Sequence, residues 1–438
     1  MKKTILALPL LLVPLLSQGQ GWTLSQCIDY ALEHSITVGQ SRIEQAQREI
    51  DLSTATSSRL PSLSASAGEN FSFGRGLTAD NTYSNTNGTS TSLNLGADVP
   101  LFQGFRIRNN IALARLNLDA ATADLQKAKD DIGVSVTQAF VQILYNMEIL
   151  RVAEGQVEID SLQAVRLEAL LENGKASASE LAQQKASLSQ AHLQKTQAEN
   201  NLRLSLLDLS QLLELPSPEG FSIVPPDPSV LSPVLLPTAE DIYADAVMTR
   251  PSVLAEKTRL DVASTRIDLA KGSFLPTLSL SGGIGSNYYT NSAFSSDSFA
   301  EQMKHNFSQF IGVSLTVPIF TRFANRNNLR SARLDYDREA LQLESVKKSL
   351  YKEIQNAYYN AISAQQKLLS SRDVVASMEE AFELVSAKYE NGKANITEFN
   401  EARNNLMKAR SDLAQAEYEQ LFQSRLLLFY RDGRIGFE

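Results

Sequence analysis

Residues 99–119 read VPLFQGFRIRNNIALARLNLD, and residues 317–337 read VPIFTRFANRNNLRSARLDYD. Eleven of these 21 positions are identical at an offset of 218. The same offset carries Glu172-Asn173-Gly174-Lys175-Ala176 onto Glu390-Asn391-Gly392-Lys393-Ala394 without a change. An offset of 215 carries Leu60-Pro61-Ser62-Leu63-Ser64 onto Leu275-Pro276-Thr277-Leu278-Ser279, and the three-residue difference falls between strands, where loops absorb insertions. The chain is therefore written twice, over 20–215 and 238–438. Seven of its 14 prolines lie between the copies, in 216–237, which reads as an extended crossover.

Both copies have one internal order. A helical segment (24–58 and 239–273) leads through Leu-Pro to a strand (near 62–74 and 277–288). A polar loop and a second strand follow (near 90–101 and 308–320), the latter carrying Val-Pro. Next come a long helix (105–171 and 323–389), the Asn-Gly-Lys turn and a return helix (178–214 and 396–431). At a rise of 1.5 Å per residue such a helix is about 100 Å long, which suits a coiled coil or bundle. Leu93, Leu95, Ala97, Val99 and Leu101 alternate with Asn94, Gly96 and Asp98; Ile311, Val313, Leu315, Val317 and Ile319 alternate with Gly312, Ser314 and Thr316. An apolar face opposite a small polar one suits lipid outside and water inside. The fold class is α+β, mostly α. Four strands are too few for a barrel, which needs about eight, and an open edge in lipid is costly, so the chain must assemble with further copies.

Composition removes other classes. Of 438 residues 43% are hydrophobic, and the net charge of −8 argues against a nucleic-acid partner, since phosphate binding rests on clustered Lys and Arg. The single cysteine, Cys27, excludes a disulfide framework or thiolate cluster, and His34, His192 and His305 are too far apart for a helical ligand pair. No cofactor or metal is expected, and no enzyme. Lys2 and Lys3 followed by the apolar run from Ile5 to Leu16 resemble a secretory signal, 1–19, too short to cross a bilayer as a helix. Gln26 is too large before Cys27 for a lipidation site, so Cys27 reads as a packing residue. Asn173-Gly174-Lys175-Ala176 lacks the hydroxyl and earlier glycine of a phosphate loop.

The signal, the tandem halves with two strands each, the long helices and the repeated turn resemble the TolC family of outer-membrane channels. The opening from Trp22 to Ala31 is also similar to the family's start. The resemblance implies a homotrimer whose four strands per chain make a 12-stranded barrel in outer-membrane lipid, continuous with an α-barrel in the periplasm. It implies an exit duct for efflux or type I secretion, docked by a periplasmic adaptor and an inner-membrane pump of RND or ABC type. Matched position by position, Tyr389 is the gating tyrosine, Glu180 its acidic partner, and Glu398 and Glu401 inward-facing acidic residues of the constriction. Asn173, Gly174, Lys175, Asn391, Gly392 and Lys393 are the tip turns that meet the adaptor. Ala394 stands where the family has a gating arginine. Local chemistry also explains the turn: Gly174 and Gly392 suit left-handed helix ends, and Ser177 with Glu180, like Asn395 with Glu398, has capping-box spacing. The competing class is a trimeric surface coiled coil or adhesin, against which the antiparallel duplication counts.

Overall fold

The computed structural model describes residues 21–78, 80–227, 236–293 and 295–436. The expected signal segment and residues 228–235 of the linker lie outside them. The first copy forms α1 (Leu24–His34), α2 (Ile36–Ser57), β1 (Ser62–Leu77), β2 (Tyr83–Gln103), α3 (Arg106–Glu172) and α4 (Ala178–Leu212). The second forms α5 (Ala239–Thr249), α6 (Pro251–Gly272), β3 (Thr277–Asn291), α7 (Phe299–His305), β4 (Ser308–Thr316), α8 (Ala324–Glu390) and α9 (Ile396–Asp432). The chain is mostly helical with one four-stranded sheet. Two contact units cut across both copies: Ile43–Asp124 with Ser252–Val346, and Met1–Arg42 with Leu125–Pro251 and Lys347–Glu438.

In the first unit the strands lie antiparallel in the order β1-β2-β3-β4, so β2 and β3 join the copies. Register aligns Leu63 with Ala97, Ala65 with Leu95, Leu95 with Ile284, and Leu280 with Val313. The alternate face aligns Ser64 with Gly96, Ser66 with Asn94, Gly96 with Gly283, and Ser279 with Ser314. The apolar face is bare: Leu63 is 72% exposed, Phe73 77% and Ile311 80%. Among the described residues, β1 and β4 each keep one unpaired edge.

Residues 99–119 and 317–337 span the joint between sheet and long helix. Gly104 (φ 59°) and Phe105 (φ 64°) are both left-handed, as are Arg322 (φ 52°) and Phe323 (φ 62°). Phe102 meets Phe105 edge-on at 5.2 Å, and Phe320 meets Phe323 edge-on at 5.6 Å. The shared letters thus encode a reversal pinned by two aromatic rings. A Cβ on Gly104 would stand 2.4 Å from the carbonyl oxygen of Gly272, so no side chain fits there.

The second unit has one core around Cys27, Ala31, Val136, Phe140, Leu144, Leu209 and Leu213. Cys27 has no exposed surface, and burial pushes its thiol up to about 12, as suits a packing residue. The described part of the linker is tied in here by a parallel bridge between Trp22 and Ile223. A smaller core at the hairpin ends holds Leu167, Leu181, Ile396 and Phe399.

Several boundaries differ from expectation. The segments expected as single helices over 24–58 and 239–273 are each broken in two. Pro251 disfavours helical backbone in the residue before it, and Arg250 is extended there (φ −70°, ψ 130°). The break places Arg250 against α9: its guanidinium lies 3.9 Å over the Phe429 ring and donates to the carbonyl of Tyr430 and to Asp130. In the first copy Ser35 makes the break without a proline, buried and extended (φ −58°, ψ 129°). β2 starts at Tyr83 because the polar loop itself pairs, Thr89 with Phe71 and Asn87 with Phe73. β4 stops at Thr316, ahead of Pro318, which has no N–H to donate, whereas β2 carries Pro100 through a register shift. Helix α7, with its capping box of Ser298 and Glu301, was not expected.

Candidate functional site

The two long helices end with the same set of hydrogen bonds. Helix α3 ends in a Schellman arrangement: Gly174 (φ 70°) donates to the Leu171 carbonyl at 2.9 Å, and Lys175 to that of Leu170 at 2.8 Å. Helix α8 ends likewise, with Gly392 (φ 69°) donating to Tyr389 at 3.0 Å and Lys393 to Lys388 at 2.8 Å. Asn173 and Asn391 each donate a side-chain N–H to the carbonyl four residues back, at 2.7 Å. All six turn residues are exposed.

The return helices start differently. Ser177 and Glu180 form a full capping box, the Glu180 carboxylate accepting from both the backbone N–H (2.8 Å) and hydroxyl (3.0 Å) of Ser177. Asn395 caps α9 by accepting from the Glu398 N–H at 2.9 Å, while the Glu398 carboxylate accepts from the Asn395 side-chain amide at 3.0 Å. Glu401 follows one turn later, and both carboxylates are exposed on one helix face.

Tyr389 lies half-buried between the hairpins, stacked on Phe399 at 5.0 Å. Its hydroxyl accepts from Gln163 Nε2 at 2.9 Å, so its hydrogen-bond partner is Gln163 on α3, whereas the sequence match pointed to Glu180. Glu180 is engaged with Ser177 and acts on the tyrosine through its charge. Burial raises the phenol above its ordinary value, the Gln163 hydrogen bond opposes this, and Glu180 adds to the rise. One turn along α3, Arg166 pairs with Glu390 at 3.6 Å. Gln163 and Arg166 thus link α3 to the end of α8, and sequence reading missed both.

A profile of the outer membrane efflux proteins matches residues 27–214 and, a second time, 242–429. The chain belongs to the outer membrane efflux protein family. Each match covers one copy of the duplication. The outer membrane efflux protein BepC of Brucella suis biovar 1 is 23% identical over 412 residues, 93% of this chain and 84% of that protein. The solved structure of VceC from Vibrio cholerae has a TM-score of 0.77 at 19% identity, covering 95% of this chain and 97% of that one. The Campylobacter jejuni CmeC outer membrane channel has a TM-score of 0.78 at 20% identity, covering 93% and 85%.

This member of the outer membrane efflux proteins is an outer-membrane exit duct. The exposed apolar sheet face is the part suited to lipid; among the described residues no helix is long and apolar enough to cross a membrane. At the hairpin ends the fold brings together Tyr389, Glu180, Glu398 and both turns around the small core of Leu167, Leu181, Ile396 and Phe399.

Proposed function

We propose that three copies of the chain close one 12-stranded barrel in the outer membrane and one helical duct below it. The single observation that carries this reading is the four-stranded sheet with a bare apolar face and unpaired edges on β1 and β4. An even number of up-and-down strands lets β4 of one copy meet β1 of the next antiparallel, and closure satisfies every edge group in lipid. Membership of the family supports twelve strands over eight.

The hairpin ends are the inner tip of this duct. There Tyr389 and Glu180 hold the resting constriction, while Glu398 and Glu401 ring it with six carboxylates per trimer and favour cations. The exposed turns Asn173-Gly174-Lys175 and Asn391-Gly392-Lys393 meet a periplasmic adaptor, which couples the duct to an inner-membrane pump of RND or ABC type. The test is mass measurement of the detergent-extracted protein, with planar-bilayer recording of the same sample. The expected result is a trimer that conducts. A monodisperse monomer with native helix content would overturn the assembly.

A further inference from the structure

Behind the tip, about two turns into α9 and just over three turns before the end of α3, an ion pair is buried among three helices. Arg403 of α9 donates through Nη1 to Asp160 Oδ1 of α3, and the side chains are 3% and 1% exposed. Gln184 of α4 donates to the same oxygen at 2.9 Å and to the Asp160 carbonyl at 3.1 Å. Gln156 of α3 donates to Asp160 Oδ2 at 2.7 Å. The carboxylate is fully engaged, yet three polar atoms around it are not: Arg403 Nε, Gln156 Oε1 and Gln184 Oε1 have no partner among the described residues. A cleft of about 570 Å³, lined by Gln156, Asp160, Arg403 and Asn404, borders the cluster.

Two observations separate this cluster from ordinary packing. First, the other copy builds its hairpin without it. At the offset of 218, Asp160 corresponds to Met378, Gln156 to Val374, Gln184 to Ala402, and Arg403 to Lys185. Lys185 makes an exposed pair with Glu168 at 3.1 Å instead. Second, burying two charges is a poor route to stability, because apolar replacement of such a pair is often neutral or better. Burial lowers the Arg403 guanidinium to about 10, so it remains charged at neutral pH. An incompletely satisfied charged cluster beside a cleft, absent from the equivalent positions of the other copy, suits a contact that is made in one state and broken in another.

We infer that Asp160, Arg403, Gln184 and Gln156 form a buried latch that holds α9 against the α3–α4 hairpin and sets resting closure of the tip. The inference rests on the tip-closure reading given above. When α9 moves away, the cleft supplies room, and water entering it satisfies the three free polar atoms and both charges. The latch is thus a positioning device, acting on the constriction through the rigid first turns of α9.

The test uses spin labels at two exposed positions, Gln183→Cys on α4 and Asn405→Cys on α9, in the assembled protein. Arg403→Met leaves Asp160 buried and unpaired, and should both lower heat resistance and open the contact. Asp160→Asn with Arg403→Met removes the charges together. A latch predicts that this double variant regains heat resistance but keeps a lengthened, broadened α4–α9 distance. Its resting conductance should rise roughly fivefold or more, the lower end of typical coupling to a two-state element. A double variant with the wild-type distance overturns the latch. A lengthened distance with wild-type conductance overturns the tip-closure reading, and with it the part the latch plays in closure.

Discussion

The two copies of the repeat share the backbone of their joints and hairpin ends and differ in the side chains between them. Both joints to the sheet use two consecutive left-handed residues and an edge-on phenylalanine pair. Both hairpin ends use a left-handed glycine and the same pair of closing hydrogen bonds. Between these fixed points the copies diverge. Tyr389 in the second copy stands where the first has Leu171, and the polar run Gln156, Asp160, Gln163 and Arg166 stands where the second has Val374, Met378, Ala381 and Leu384. The duplication therefore supplies a scaffold twice. The cross-links that bind one copy to the other are made once.

The largest effect is expected where the shared backbone tolerates no side chain. Gly104→Val drives a branched side chain into the Gly272 carbonyl, which a Cβ alone would approach to 2.4 Å. It should abolish assembled protein in the outer membrane. The equivalent residue, Arg322, already bears a side chain at φ 52°, and Arg322→Gly should change unfolding by no more than about 1 kcal/mol, relieving strain but loosening the unfolded chain. The pair of variants is read by outer-membrane yield and thermal unfolding. Normal assembly of Gly104→Val would break the claim that close backbone approach distinguishes the two joints.

The hairpin glycines should respond alike and more mildly. Nothing lies within 4 Å of a Cβ built at Gly174 or Gly392, so substitution there costs only the left-handed strain, about 1–2 kcal/mol for an ordinary residue and more for a branched one. Gly174→Val and Gly392→Val should each reduce efflux with the barrel still assembled, and Asn should be tolerated at either site. The control is Gly155→Ala, in open space within α3, which should stabilise by about 0.5–1 kcal/mol. Gly133→Ala is a poorer control, because its Cβ would crowd Ile435 at 3.3 Å. A valine that is silent in one turn and damaging in the other would show that the turns are not equivalent in use.

What could be read from the sequence follows the same division. The joints and turns were legible because glycine, proline and capping residues act on their own backbone, and because the duplication printed them twice. The apolar and polar faces of the strands were legible through their period of two. The break at Ser35 was not, since no proline marks it; the break at Arg250 had a local sign in Pro251, which disfavours helix in the residue before it. Gln163, Asp160 and Arg403 were missed because their partners lie 226 to 243 residues away, and no local pattern encodes such a contact. A usable signal did exist. Subtracting one copy from the other leaves polar residues of α3 opposite apolar ones of α8, and those positions carry the cross-links.

The smallest structural effect, and the sharpest functional one, concerns the carboxylates at the start of α9. Asn395 caps the helix through the Glu398 backbone N–H, so Glu398→Gln leaves that bond in place, and a Gln side-chain oxygen can still accept from the Asn395 amide. Glu401→Gln alters an exposed side chain on the same face. Neither change should shift unfolding by more than about 0.5 kcal/mol, the ordinary range for surface substitutions. If these groups ring the constriction, the double variant removes six charges per trimer where the walls are narrow enough for charge to count. Cation preference, read as reversal potential under a salt gradient, should then fall toward zero. The difference from wild type should also shrink as salt rises, because the screening length drops from about 10 Å at 0.1 M to about 3 Å at 1 M. The first copy offers the internal contrast: Glu180 binds the Ser177 N–H and hydroxyl, so Glu180→Gln should alter selectivity less than Glu401→Gln does. A double variant with wild-type cation preference at low salt would mean that the α9 carboxylates face away from the pore, and that the two copies differ in their cross-links alone.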